Sequence, residues 1–309
     1  MKSAIFFPGQ GSQKPGMGKA LAEHFEVAKR TFEEADEALG FSISTLCFEG
    51  PGDDLNLTFN SQPAILATSI AALRACEHVH GPVQADLAAG HSLGEWSALV
   101  AVGALDFADA LRLVHLRGQA MQAAVPVGVG AMAAILKLSI EDVQAICEAA
   151  REGEVCSAAN FNGGNQIVIS GSKAAVERAM AATKEKKGKA IPLKVSAPFH
   201  CELMAPAAEK VAEALETIKI GDMRIPVVAN ADAAPNQDSS RVKELLIQQV
   251  TGAVRWQESV EYIASQGVSD AFEFGHGSVI KGLVRRIASD MTVVPIGQPD
   301  DIGAPNPNE

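Results

Sequence analysis

Ser92 lies at the centre of a G-x-S-x-G sequence, "GHSLG", at residues 90–94. Apolar residues precede it and a run with helical periodicity follows, which predicts a strand, a tight turn and a helix. On such a turn a serine hydroxyl is exposed and can attack a carbonyl carbon. Sequences of this form also arise by chance or serve close packing alone, but the flanking strand and helix favour catalysis. Ser92 is therefore predicted to be a nucleophile.

A serine hydroxyl is a weak nucleophile at neutral pH and needs a base, usually a histidine, within hydrogen-bonding distance. Of the seven histidines, His200 lies at a strand-to-helix junction in "SAPFHCELM", and His276 lies in the glycine-rich "FGHGS". His200 is the favoured base and His276 is the alternative. His91 adjoins the serine, but neighbours on a sharp turn tend to point apart, so a supporting role is predicted for it.

The sequence offers no clear acid for a catalytic triad. In α/β-hydrolases the acid lies between the serine and the histidine along the chain. Here the candidates Asp106, Asp109 and Asp142 fall in or near predicted helices. A two-residue Ser–His arrangement is therefore predicted, in which a carbonyl group orients the histidine.

The loop "PGQGSQKPGMG", residues 8–18, follows the first predicted strand. It lacks the Walker lysine-serine pair, and Lys14 occupies the last glycine position of G-x-G-x-x-G, so phosphate binding is a weak interpretation. A glycine-rich turn at a strand end can instead direct backbone N–H groups at a developing oxyanion. Gln10 and Leu93 are the natural pair of donors. Arg117 is either an ordinary exposed helix residue or a planar clamp for a carboxylate on the acyl group.

Two different patterns of strands and helices along the chain predict how these residues are positioned. Residues 1–127 and 197–298 alternate apolar runs with helical stretches, which is typical of an α/β domain with a parallel sheet. Residues 128–196 follow the order β-α-β-β-α-β, the ferredoxin-like pattern, with "NGGN" as a hairpin turn. We therefore expect a discontinuous catalytic domain with a small insert. The polar, proline-rich end, 299–309, is predicted to be disordered.

Composition limits the classes of function. The 309 residues carry a net charge of −11, which argues against general nucleic-acid binding. No stretch approaches eighteen uninterrupted apolar residues, so a membrane span is not expected. The five cysteines lack C-x-x-C spacing, which predicts free thiols in a reducing cytoplasm and no zinc site.

Seven motifs, in this order along nearly the whole chain, resemble the malonyl-CoA:acyl-carrier-protein transacylases. These enzymes load extender units in bacterial type II fatty-acid synthesis. The motifs are "FPGQGSQ", "TFNSQPA", "GHSLGE", "RGQAMQ", "NFNGGNQIVISG", "SAPFHCELM" and "QQVTGAVRW". The resemblance implies an α/β-hydrolase-like core with a ferredoxin-like insert, in agreement with the organisation predicted above.

The resemblance also assigns roles at the matched positions. It implies that Ser92 is the nucleophile and His200 the base. Gln10 and Leu93 would supply the oxyanion-hole N–H groups. Arg117 would bind the malonyl carboxylate.

Further positions match the border of the family's site. The resemblance implies that the carbonyl of Gln249 orients the histidine, which would replace the missing acid. Asn160 and Asn162 match the insert strand beside the site. Phe199 precedes the base as it does in malonyl-selective acyltransferase domains, which favours malonyl over methylmalonyl. His276 stands in a loop where the family often has proline, so its role stays open.

The implied substrates are malonyl-CoA and acyl carrier protein, with no metal or other cofactor, and a monomer is expected. An acidic carrier would need a basic patch, either "KEKKGK" at 184–189 or Lys281 with Arg285 and Arg286; the first is equally well explained as a solvated helix end. The rival interpretations are a hydrolase that uses the same serine, a non-catalytic scaffold, and a transferase of polyketide synthesis.

Overall fold

The structure is a computed structural model that describes residues 2–126 and 128–303. Its strands are β1 Lys2–Phe7, β2 Leu87–Gly90, β3 Gly130–Leu136, β4 Cys156–Phe161, β5 Gln166–Ser172, β6 Lys189–Pro192, β7 Val227–Val228, β8 Pro235–Asn236, β9 Val268–Phe274 and β10 Thr292–Ile296. Its α-helices are α1 Lys19–His24, α2 Glu26–Leu39, α3 Ile43–Glu49, α4 Gly52–Asn56, α5 Thr58–His80, α6 Leu93–Ala101, α7 Phe107–Ala124, α8 Ile140–Arg151, α9 Lys173–Glu185, α10 Ala205–Glu216, α11 Val242–Thr251, α12 Trp256–Ser265, α13 Val279–Ile287 and α14 Pro299–Ile302.

The larger sheet has the strand order β10-β9-β1-β2-β7-β8, and its pairs are parallel except β7–β8. Its central strands are short apolar runs buried on both faces, "AIFF" in β1 and "LAAG" in β2. Such runs are typical of a parallel sheet covered by helices on both sides. The carboxyl ends of β1 and β2 lie side by side, which brings the loop after Phe7 next to the turn after Gly90.

The smaller sheet has the order β4-β5-β3-β6 and is antiparallel throughout, with α8 and α9 as its connections. This is the ferredoxin-like arrangement, and β4 and β5 form the hairpin predicted from "NGGN". It has an apolar cluster of its own, separate from the two clusters of the larger sheet. The fold class is confirmed. The division into domains stays a prediction, and its boundary at Val127 lies outside the described residues.

Helix boundaries differ from the sequence pattern at two places. The pattern predicts one helix over 19–39, but Phe25 is extended and packs against the core, which separates α1 from α2. The pattern also starts the next helix at Ser61, whereas α5 begins at Thr58. Pro63 is therefore inside α5 and cannot donate to the carbonyl of Phe59. The ring of His115 bonds that carbonyl instead, with an Nδ1–O distance of 2.7 Å.

The end of the chain is ordered further than its composition predicts. Residues 299–302 form α14, which begins with Pro299 at its first position and a capping box at Gln298. Ile302 is buried in the main apolar cluster, so one apolar contact outweighs the polar composition of the segment. Residues 304–309, the rest of the predicted tail, lie outside the described residues.

Membrane spans, metal clusters and cysteines bear on the class of protein. Within the described ranges no helix is both long and apolar enough to cross a membrane. The same residues contain no group of three or more His, Cys, Asp or Glu side chains placed to hold a metal ion. The five cysteines are buried free thiols.

Candidate active site

Ser92 occupies the turn between β2 and α6. Its backbone has φ 51° and ψ −104°, a left-handed conformation that costs a non-glycine residue about 1–3 kcal/mol. The glycines of the motif make this turn possible, because a Cβ at Gly90 would overlap the backbone of Gly94, and one at Gly94 would overlap the carbonyl of Phe7. Strand, strained turn and helix therefore have the form that exposes a serine hydroxyl.

His200 is the histidine that the fold brings to this serine, across 108 positions of sequence. Its Nε2 lies 2.7 Å from the Ser92 Oγ. Its Nδ1 lies 2.9 Å from the backbone carbonyl oxygen of Gln249 and 3.2 Å from that of Gly252. Carbonyls only accept hydrogen bonds, so Nδ1 carries the proton and Nε2 is left to accept from the serine. The carbonyl orientation implied by the family resemblance is thus present in the geometry.

His276, the alternative base, does not lie beside Ser92. The ring of His276 is half-buried near Lys14, and its Nδ1 has no hydrogen-bond partner among the described residues. His276 is also absent from the lining of the pocket that Ser92 and His200 share. The geometry therefore favours His200 as the base.

The protonation state of His200 suits a base. Burial, together with the nearby positive charge of Arg117, lowers its pKa from 6.5 to about 3. The imidazole is therefore neutral at neutral pH. Its Nε2 lone pair is free to take a proton.

Arg117 is not an exposed helix residue: it is only 1% exposed. Its Nη2 donates to the Ser92 Oγ at 3.2 Å and to the Gln249 Oε1 at 3.0 Å, while its Nη1 donates to the Gln62 Oε1 at 2.6 Å. Burial lowers its pKa to about 10, so the guanidinium stays charged at neutral pH. A fixed cation therefore lies directly beside the serine oxygen.

The two expected oxyanion donors flank the serine. Leu93 is the first residue of α6, where a backbone N–H has no partner within the helix. Gln10 lines the same pocket as Ser92, and its side chain holds the loop in place by donating to the hydroxyls of Thr58 and Ser61 at 2.9 and 3.0 Å. Their role as an oxyanion hole stays a prediction.

A pocket of about 640 Å³ leads to Ser92 between the two sheets. The small sheet supplies an apolar wall through Met132, Ala134 and Val168, and Phe199 and His200 lie on the same lining. This volume falls within the range of small-molecule sites. The pocket is therefore large enough for a small-molecule substrate beside Ser92.

Asn160 and Asn162, the two polar residues expected at the border, lie on this lining at the end of β4. The Oδ1 of Asn162 is 2.8 Å from the Nε2 of His91. His91 thus connects the serine turn to the insert. The supporting role of His91 in catalysis stays a prediction.

Three buried polar residues of the site escaped the sequence analysis. Asn230, just after β7, accepts from the Ser92 N–H through its Oδ1 at 2.7 Å and donates to the Gly90 carbonyl at 2.8 Å. Glu95 accepts from the backbone N–H of Asn230 at 2.9 Å, and Gln62 holds Arg117. The available signal was a single glutamate in the helical run "LGEWSALVA" and a single glutamine in the helical run "SQPAILATSI", where the other residues are apolar or small. No comparable signal marks Asn230.

Comparison with known proteins places this geometry in context. A family model described as "Acyl transferase domain" matches residues 5–301. The malonyl CoA-acyl carrier protein transacylase of Haemophilus influenzae is 46% identical over 296 residues, which are 96% of this chain and 95% of that protein.

Solved structures show the same similarity. An acyl carrier protein S-malonyltransferase from Vibrio cholerae superposes with a TM-score of 0.96 at 46% identity, over 98% of this chain and 99% of that one. A malonyl-transacylase solved in complex with its type II PKS acyl-carrier protein superposes with a TM-score of 0.96 at 43% identity, over the full length of both chains.

Proposed function

The chain belongs to the acyl transferase domain family, and from this membership and the site geometry we propose that it is an S-malonyltransferase. It transfers the malonyl group of malonyl-CoA to the phosphopantetheine thiol of acyl carrier protein and supplies extender units for fatty-acid synthesis. One observation carries the choice of acyl group. The charged Arg117 guanidinium lies 3.2 Å from the Ser92 oxygen, where it can pair with a carboxylate on the bound acyl chain.

In the first half-reaction the Ser92 oxygen attacks the thioester carbonyl while the Nε2 of His200 takes the hydroxyl proton. The oxyanion that forms accepts hydrogen bonds from the backbone N–H groups of Gln10 and Leu93. The carbon–sulfur bond then breaks, and His200 returns its proton to the departing coenzyme A thiolate. A malonyl-serine ester remains.

In the second half-reaction the carrier's phosphopantetheine thiol takes the place of coenzyme A. His200 accepts the thiol proton, the sulfur attacks the ester, and the proton returns to the Ser92 oxygen as the new thioester leaves. A thioester is an activated acyl donor, so an imidazole oriented by the carbonyl oxygens of Gln249 and Gly252 is sufficient. Arg117 holds the malonyl group so that no water molecule is well placed beside His200.

The same chemistry limits what the protein needs besides its two substrates. The reaction needs no metal or organic cofactor, because serine, imidazole and guanidinium supply every step. We infer that the chain acts as a monomer in the cytoplasm, and that it docks an acyl carrier protein as the relative solved with its carrier does.

Intact-protein mass spectrometry after brief exposure to malonyl-CoA tests the proposal. A transferase accumulates one malonyl group on Ser92 and releases little malonate until holo acyl carrier protein is added. A hydrolase with the same serine would release malonate steadily, and a non-catalytic scaffold would show no adduct. Presenting carriers of fatty-acid and polyketide synthesis in parallel distinguishes the two pathways.

The basic face of α13 is the better placed of the two candidate docking patches. Lys281 and Arg285 are exposed on this helix. Arg286 donates to the side chain of Gln166, which lines the pocket. A carrier bound to this face would therefore stand at the pocket mouth. In the 184–189 segment Lys186 already pairs with Asp142 at 2.7 Å.

Reversing the charges of Lys281 and Arg285 together to Glu is expected to raise the KM for acyl carrier protein about tenfold at low ionic strength, because attraction to an acidic carrier becomes repulsion. Acylation of Ser92 by malonyl-CoA should not change, since neither side chain touches the site. Steady-state kinetics with each substrate measures both effects. The same reversal at Lys184 and Lys187 is the matched control, and an equal rise in KM there would contradict the assignment to α13.

A further inference from the structure

Glu95 is a buried carboxylate that the catalytic steps above do not use. It is 2% exposed and lies three residues after Ser92 in α6. Its Oε2 accepts from the Asn230 backbone N–H at 2.9 Å and from the Gln249 Nε2 at 2.8 Å. A buried carboxylate is costly unless it is hydrogen-bonded, so its retention here calls for a reason.

The two donors to Glu95 are the residues that hold the serine turn from both sides. The Asn230 side chain bonds the Ser92 N–H and the Gly90 carbonyl. The Gln249 Nε2 donates to the Ser92 carbonyl at 3.0 Å. The strained turn is therefore clamped before and after the serine, and Glu95 is the acceptor common to both clamps.

Glu95, together with the Ser92 carbonyl, determines which way the Gln249 amide faces. An ionised carboxylate can only accept, so it selects the NH2 end of the amide. The opposite end, Oε1, is then directed at Arg117, whose Nη2 donates to it at 3.0 Å. This second contact fixes the guanidinium beside the Ser92 oxygen.

We infer that Glu95 is a positioning residue that sets acyl-group selectivity, because its carboxylate orients Gln249 and thereby Arg117. This inference rests on the proposed malonyl transfer. Glu95 touches neither the reacting atoms nor the pocket, so it acts through its hydrogen bonds to Gln249 and Asn230 and through the attraction of its charge for Arg117.

The test compares Glu95→Gln with Glu273→Gln, a second buried glutamate. Glu273 accepts from the backbone N–H groups of Ile280 and Lys281, both at 2.9 Å, and caps α13 without contacting the site. Both variants lose a buried carboxylate and are expected to lose thermal stability. In Glu95→Gln alone, the ratio of kcat/KM for malonyl-CoA to that for acetyl-CoA should fall about tenfold, because a neutral amide replaces the charged acceptor and weakens its hydrogen bonds. An unchanged ratio overturns the inference.

The pH profile gives a readout that a purely structural role would not move. Burial raises the pKa of Glu95 to about 7. The hydrogen bonds from Asn230 and Gln249 and the charge of Arg117 act in the opposite direction but are outweighed. The charged groups that act on Glu95 are Arg117 and Asp232, and the pKa of the base His200 is too low for it to titrate in this range. Malonyl transfer by the wild type should decline as the pH falls through about 7 and Glu95 takes up a proton. This acid limb of the pH profile should be absent in Glu95→Gln and retained in Glu273→Gln.

The same measurements distinguish a failure of the proposed function from a failure of the role of Glu95. If malonyl-CoA fails to acylate Ser92 in the wild type, the proposed function fails. If the wild type is acylated but both variants keep its selectivity and its acid limb, only the role of Glu95 is refuted.

Discussion

Replacing His200 by alanine is expected to slow acylation of Ser92 by malonyl-CoA about 10²- to 10⁴-fold, the usual contribution of general base catalysis. The imidazole Nε2 is 2.7 Å from the serine oxygen, and its other nitrogen is held by backbone carbonyls that a side-chain substitution leaves in place. Without the imidazole, the serine proton has no basic side chain to accept it, because Arg117, the other side chain bonded to this oxygen, is a donor. Rapid quenching followed by intact mass measurement gives the acylation rate directly.

Two companion variants make this result specific. Ser92→Ala should give no adduct at any time. His276→Ala should acylate at close to the wild-type rate, because His276 does not line the pocket. A loss of acylation rate in His276→Ala as large as that in His200→Ala would contradict the assignment of His200 as the base.

Much of the fold follows from local sequence pattern. Apolar runs such as "AIFF" and "LAAG" predict the parallel strands, and "NGGN" between two strands predicts the hairpin. The differences arise where tertiary contacts outweigh local preference. Phe25 leaves the helix to pack against the core, and the His115 ring satisfies the carbonyl that Pro63 leaves unpaired. Neither contact is visible within one segment of sequence.

The active site likewise combines features that the local sequence predicts with contacts between residues that are distant in sequence. The Ser92 turn is predictable because glycines and a strand–helix pattern surround it. The pairing with His200 rests on its strand-to-helix junction and on family resemblance, since nothing local connects residues 108 positions apart. The burial of Arg117 could not be deduced from a helical pattern. Its partner Gln62 lies on another helix, and this hydrogen bond, with those to Ser92 and Gln249, offsets the cost of burying the guanidinium.

Asn230 and Glu95 show what a search for reacting groups overlooks. Neither touches the reacting atoms, so a search for nucleophile, base and oxyanion donors passes over both. Their contribution is to hold a strained turn, and strain at Ser92 becomes apparent only when its φ of 51° is known. A polar residue inside an apolar helical run is the one signal that sequence offers, and it marks Glu95 without revealing its partners.

Arg117→Ala should reduce kcat/KM for malonyl-CoA about 10²- to 10³-fold, as when one partner of a buried charge pair is truncated, and should reduce kcat/KM for acetyl-CoA less than tenfold. The malonyl carboxylate would lose the buried cation beside Ser92, whereas the neutral acetyl group loses no such contact. Acetyl-CoA is therefore the internal control in the same variant, and circular dichroism checks that the fold survives. The rate of malonate release should also rise, because an unclamped malonyl ester leaves room for water beside His200. Equal losses with both thioesters would remove the clamp from the mechanism and leave Arg117 a structural residue that supports the serine turn.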